Sequence, residues 1–120
     1  MSQKLPPEIE NKLVRLQEFQ EQLKMLMLRR QQLELQLREV ENALEEVEKL
    51  EEGMDVYKTV GYIMFKSSKD KVLEELRDKK ETLELRIKTV QKQENLVKKQ
   101  FEELRRDVSR SLSSLGISVS

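Results

Sequence analysis

The 120-residue sequence contains no cysteine and no histidine. Disulfide bonds, thiol catalysis and zinc sites built from these residues are therefore excluded. Tryptophan is also absent, and there are only three glycines, two prolines and 4% aromatic residues. With 38% charged residues, this composition is typical of a long, solvated helix or coiled coil and not of a compact globule.

The formal net charge is zero, because 23 basic residues balance 23 acidic ones. Binding along a phosphate backbone needs a basic face, whereas lysine and arginine here alternate with glutamate. No apolar run reaches the roughly 20 residues of a membrane span, and the N-terminus has no apolar leader. We expect a cytoplasmic protein that binds neither nucleic acid nor membrane. The sequence has no glycine-rich phosphate loop, so neither ATP nor any other cofactor is expected.

Two stretches of the chain have apolar residues at steps of three and four. Pro6 and Pro7 precede the first stretch, and proline is accepted only in the first turn of a helix. Gly53 follows it and is expected to be the residue that ends the helix. Ser67 or Ser68 offers an N-cap for the second. The pattern predicts helices over residues 8–51 and 69–112, followed by a flexible, serine-rich tail over residues 113–120.

The core positions of the two predicted helices form one seam on each. In the first helix they are Ile9, Leu13, Leu16, Phe19, Leu23, Leu26, Leu33, Leu37, Val40, Leu44 and Val47, with Arg30 in the one polar slot. In the second they are Leu73, Leu76, Lys80, Leu83, Ile87, Val90, Glu94, Val97, Phe101, Leu104, Val108, Ser111 and Leu115.

The segment between the helices, residues 55–67, differs in kind because it holds both tyrosines and several β-branched residues. Gly61 separates two short runs and predicts the turn of a β-hairpin. Alternation places Ile63 and Phe65 on one face and Tyr62 and Met64 on the other. The fold class is therefore all-α dominated: a single domain over residues 1–120 that forms a long antiparallel two-helix coiled coil with one central β-hairpin.

An isolated two-stranded hairpin is marginal in water, and its edges carry unpaired backbone groups. We therefore expect several copies to join their hairpins in an oligomeric β-barrel. The alternative is that the hairpin folds back on its own helices as a cap. The expected assembly residues are Val56, Tyr57, Val60, Gly61, Ile63, Met64 and Phe65.

The open end of the coiled coil, where both termini meet, is the main candidate for a binding site, because exposed apolar side chains on a protein surface often mark one. Its residues are Leu5, Ile9, Leu13, Leu112, Leu115, Ile117 and Val119. The alternative is that they only complete the seam. Met25, Met27 and Leu28 are possible inner contacts, although plain helix surface is the simpler interpretation of that run.

Several short segments resemble the β class of the prefoldin family. They are Leu5-Pro6-Pro7, Gln31-Gln32-Leu33-Glu34-Leu35, Tyr57-Lys58-Thr59-Val60-Gly61 and the run from Lys79 to Lys88. The resemblance implies a hexamer of two α-class and four β-class chains with a central double β-barrel. It also implies an ATP-independent chaperone, or holdase, whose coiled-coil tips bind unfolded client proteins and deliver them to a group II chaperonin.

A structural coiled-coil scaffold or tether is the alternative function, although an aromatic β segment in mid-chain is not what a scaffold needs. An enzyme is not expected. The acidic cluster that includes Glu45, Glu48 and Asp55 is expected to be solvated, because a two-helix rod offers no pocket to desolvate it. No metal site is expected either.

Overall fold

The computed structural model describes residues 5–116. Helix α1 spans Pro7–Glu48, strand β1 Val56–Val60, strand β2 Ile63–Ser67 and helix α2 Lys69–Ser114. The predicted order of helix, hairpin and helix is confirmed. Compared with the expected bounds, α1 starts one residue earlier and ends three residues earlier, while α2 continues two residues further. Neither helix of the described chain contains an apolar stretch long enough to cross a bilayer.

The start of α1 is set by its two prolines. Pro7 occupies the first helical position, where a missing N–H costs nothing. The carbonyl of Pro6 accepts hydrogen bonds from the backbone N–H groups of Ile9 (2.9 Å) and Glu10 (3.1 Å). The carbonyl of Pro6, directly before the helix, therefore takes part in the hydrogen bonds of the first helical turn.

Gly53 does not end α1, contrary to the sequence-based expectation. The helix stops at Glu48, and Gly53 lies in a turn over residues 51–54, in which the N–H of Met54 bonds to the carbonyl of Glu51 at 3.2 Å. The φ angle of Gly53 is +84°, a value that glycine adopts without strain. Its role is to turn the chain toward β1.

Helix α2 begins with a serine cap, as predicted. The Oγ of Ser68 accepts a hydrogen bond from the N–H of Lys71 at 3.3 Å. The next residue, Lys69, donates from its ammonium to the carbonyl of Leu50 at 2.8 Å. This bond ties the first turn of α2 to the chain that leaves α1.

The two strands pair in antiparallel register from Val56 opposite Ser67 to Val60 opposite Ile63. The connecting turn holds Gly61 at its first position with φ +59°, while Tyr62 has no positive φ. Glycine at the first of two central residues is typical of a type II′ hairpin turn. Ile63 and Phe65 lie on one side and Met64 on the other, as predicted, and Val60 shares the side of Ile63 because it is directly opposite. Tyr62, which was expected on the side of Met64, lies in the turn and not in a strand.

The described chain forms two compact units, and both helices contribute to each of them. In the first, residues 5–29 pack against residues 90–116 with opposite chain direction, since Ile9 lies against Val108 and Leu112. The second comprises residues 30–89, including the hairpin. Its buried apolar residues are Leu33, Val40, Leu44, Leu73, Leu83 and Ile87. The single domain over residues 1–120 stays a prediction.

Every predicted seam position except Leu115 is buried or partly buried. Leu115 was expected to continue the seam, but it is 50% exposed. The reason is that α2 ends at Ser114, so Leu115 no longer follows the helical repeat. Leu112 is buried at this end instead.

Candidate functional site

The predicted binding residues near the helix ends form a closed hydrophobic cluster. Ile9, Val108 and Leu112 are buried, at 6%, 4% and 8% exposure. Four partly buried leucines pack against them, namely Leu5, Leu13, Leu16 and Leu104. We expected the apolar side chains at this end to remain exposed, and for Ile9 and Leu112 this expectation is wrong. Both helices extend far enough for these side chains to cover each other.

Of the remaining residues of this predicted site, Leu5 and Leu13 are partly buried, Leu115 is exposed and two lie outside the described chain. Leu115 is half exposed, and Leu5 is partly buried at the edge of the cluster. Ile117 and Val119 fall outside the described residues. The exposed apolar surface at the helix ends therefore consists of the edge of the cluster and not of its centre.

An ion pair joins the two helices beside this cluster. The ammonium of Lys12 lies 2.8 Å from Oδ2 of Asp107 and 3.7 Å from Oε1 of Glu8. The hydrogen bond to Asp107, assisted by the charges of both carboxylates, raises the pKa of Lys12 above its ordinary value of 10.5. One turn further on, the guanidinium of Arg15 lies 5.8 Å from the centre of the Phe19 ring, within the range of a cation–π contact.

A second apolar surface lies further along the first unit. Met25 is 71% exposed, and Met27 and Leu28 are also exposed. An open groove runs beside Met25 and is lined by Gln22, Met25, Leu26, Gln93, Leu96 and Val97. Unlike plain helix surface, this groove combines apolar side chains from both helices, and Leu96 is 57% exposed.

Leu96 was not among the predicted site residues. It occupies a non-seam position, directly before the seam residue Val97, and the heptad pattern identifies only seam positions. An apolar residue outside the seam of a solvated helix is the sequence feature that marks it. Val14, Leu35 and Leu85 share this feature and are also exposed.

The hairpin carries the largest group of exposed apolar side chains. Six of them are at least half exposed, namely Tyr57, Val60, Tyr62, Ile63, Met64 and Phe65. Val56 is partly buried and Gly61 is exposed. Lys58 joins the hairpin to α2 through an ion pair of 2.7 Å with Glu75. Neither face of the hairpin is covered by the described part of its own chain, which argues against the cap.

Among residues 5–116, no group of acidic side chains is arranged to hold a metal ion. The three candidate surfaces, at the helix ends, the groove and the hairpin, differ in which apolar side chains they expose.

Residues 10–114 match the family model described as prefoldin subunit. The chain belongs to the prefoldin family. It is 43% identical to the prefoldin subunit beta of Pyrobaculum islandicum, over 96% of this chain and 92% of that one. The prefoldin subunit beta of Archaeoglobus fulgidus is also 43% identical, over 91% of this chain and 94% of that one.

The fold agrees with a solved prefoldin structure. The crystal structure of the prefoldin beta subunit from Thermococcus strain KS-1 superposes with a TM-score of 0.87 and 36% identity, covering 92% of this chain and 97% of that one. The resemblance to the prefoldin family and the predicted fold class are thus confirmed.

The prefoldin match covers the candidate surfaces unequally. It includes the hairpin and the groove at Met25 and Leu96, whereas Leu5, Ile9 and Leu115 lie outside it. The assignment of individual residues to client binding or assembly stays a prediction.

Proposed function

We propose that this chain is a subunit of an ATP-independent holdase that binds unfolded proteins. The observation that carries the proposal is the family match over residues 10–114, since prefoldin subunits are chaperones. The wide exposure of apolar side chains on a small protein is consistent with this function. A cytoplasmic location belongs to the same proposal.

The chain is proposed to assemble through its hairpin. Ile63 and Phe65 on one face and Met64 on the other are each at least half exposed, and burying them would contribute about 25 cal/mol per Å² of apolar area. The proposed partner is an α-class prefoldin subunit, in a hexamer of two α and four β chains whose hairpins form a shared barrel.

Clients are proposed to bind at the helix ends and, secondarily, at the groove. Leu5 is partly buried at the edge of the helix-end cluster, and Leu115 is half exposed just after the end of α2. Ile9 and Leu112 would reach a client only if the helix ends separate. Hydrophobic contacts suit unrelated clients because their energy depends on area and not on sequence, and several subunits would add their weak contacts by avidity. Delivery to a group II chaperonin completes the proposal.

The test is light scattering while a chemically denatured protein is diluted into buffer that contains the chain assembled with its α-class partner. We expect suppression of aggregation without ATP, and weaker suppression by L5S/L115S. The control is L85S, which removes an exposed leucine from a helix face in the second unit. A well-assembled oligomer that does not suppress aggregation would contradict the holdase function. Unchanged suppression by L5S/L115S would move the client site away from the helix ends.

A further inference from the structure

The charges of the first unit are distributed unevenly around its groove. Residues 22–29 and 90–100 contain five basic side chains, and all are exposed: Lys24, Arg29, Lys92, Lys98 and Lys99. The one acidic residue in these ranges, Glu94, is buried. Basic residues therefore outnumber acidic ones in this part of the chain, although the net charge of the whole chain is zero.

Helical spacing brings some of these cations directly beside the exposed apolar side chains. Residues three and four apart are neighbours on a helix surface, so Lys92 and Lys99 flank Leu96. On α1, Arg29 and Leu28 follow Met25 by the same spacing. Glu21, one turn before Met25, and Glu102 and Glu103, one turn after Lys99, are the acids at the edge of this surface. Glu102 pairs with Arg105, whereas Arg29, Lys92 and Lys99 form no ion pair with the described residues.

We propose that this surface, which we call the basic groove (Met25, Leu28, Arg29, Lys92, Leu96 and Lys99), binds segments of unfolded polypeptide in which apolar side chains lie next to aspartate or glutamate. The proposal rests on the proposed holdase function and names a class of client for one of its surfaces. Met25 and Leu96 supply the apolar contact. The cations attract neighbouring carboxylates and disfavour segments rich in lysine or arginine.

The same charges disfavour a second copy of this groove as the occupant. A second groove would place Lys92 and Lys99 against identical cations, and like charges in contact are unfavourable. The basic groove also differs from the first turns of α1, where Lys12 is paired with Asp107.

The experiment measures fluorescence anisotropy of two labelled peptides that bind to the full chain assembled with its α-class partner. Both peptides have the same leucine and phenylalanine positions, and glutamates in one are replaced by lysines in the other. We expect the acidic peptide to bind about three- to tenfold more tightly, since each exposed ion pair contributes a factor of about 1.5 to 5. This preference is expected to disappear in about 1 M salt, where the screening length is about 3 Å.

Three variants locate the effect, and light scattering verifies that each one assembles normally. M25S/L96S is expected to weaken binding of both peptides. K92E/K99E is expected to reverse the preference and leave the apolar contact in place. L85S is the control, because Leu85 is 59% exposed, close to the 57% of Leu96, and has Glu81 and Lys88 as helical neighbours.

Equal binding of the two peptides, or a preference that K92E/K99E does not change, would overturn the proposal. The same holds if M25S/L96S binds like the wild type. An oligomer that retains the acidic preference but does not prevent aggregation would contradict the holdase function alone. One that prevents aggregation and shows no peptide preference would contradict the basic groove alone.

Discussion

The helix ends and the hairpin use similar apolar residues in opposite ways. Ile9, Val108 and Leu112 cover one another and are almost completely buried, whereas Ile63 and Phe65 are at least half exposed. A heptad pattern on two antiparallel helices has one seam per helix, and each seam covers the other. The two-stranded sheet has two faces, and residues 5–116 leave most of its apolar side chains on both of them exposed. The buried residues at the helix ends therefore stabilise the subunit itself. The exposed residues of the hairpin need a partner chain to cover them.

The largest effect is expected from charges on the hairpin. I63D/F65D places two carboxylates on one face of the proposed interface, where an unpaired buried charge costs several kcal/mol. We expect the assembled oligomer to dissociate into smaller species while the helical content is retained, as measured by light scattering after gel filtration and by circular dichroism. The control K71D changes the net charge by the same amount on the exposed first turn of α2. An unchanged oligomer mass for I63D/F65D would place the interface on the helices.

The second prediction compares two leucines near the end of α2. L112A removes a buried side chain from the helix-end cluster and is expected to lower the free energy of unfolding by about 2 kcal/mol. L115A, three residues further, is expected to change it by less than about 0.5 kcal/mol, because Leu115 is half exposed. Chemical denaturation of both variants checks this. Equal losses would mean that the cluster extends past the end of α2.

The third prediction concerns the hairpin turn. A Cβ added at Gly61 would meet no atom within 4 Å, so G61A is destabilising only through its positive φ, by about 1 kcal/mol in each copy. Thermal unfolding of the assembled oligomer is expected to show this loss. G61N is expected to lose less, because asparagine adopts positive φ more readily. A wild-type melting temperature for G61A would show that the turn changes conformation in the assembly.

The smallest effect is expected from Lys12 at high pH. Its pKa is raised in the folded chain, above 10.5, so the contribution of its ion pair is fully present below pH of about 10.5. The contribution is then lost as the pH rises through the folded pKa. The difference in unfolding free energy between the wild type and K12M is therefore expected to shrink above that pH. K24M is the control, because Lys24 forms no ion pair with the described residues. A difference that does not change with pH would contradict this assignment.

The seam could be predicted because helical periodicity maps steps of three and four onto one face. Leu33, Val40, Leu83 and Val90 all occupy predicted positions and are buried. The hairpin faces were predictable for the same reason, since alternation in a strand has only two outcomes. These features depend on local spacing alone.

Features that depend on distant contacts or on helix ends could not be predicted. Nothing in the spacing indicates that α1 stops at Glu48, where the chain turns toward the bond between Leu50 and Lys69. The exposure of Leu115 follows from the end of α2, which periodicity does not locate. The basic groove could not be predicted from the net charge, which is zero over the whole chain, or from the heptads, because Leu96 lies outside the seam.

The hydrogen bond from Lys69 to the carbonyl of Leu50 bears on how the hairpin segment can change in evolution. It closes the base of the segment that holds the hairpin, with Glu52 at 4.0 Å from the same ammonium. Lengthening a closed loop is inexpensive, at about 0.6 kcal/mol for each doubling. Strands could therefore be inserted or removed beyond this bond while both helical seams keep their register. The hairpin segment, and with it the geometry of an assembly, can in this way evolve separately from the two helices.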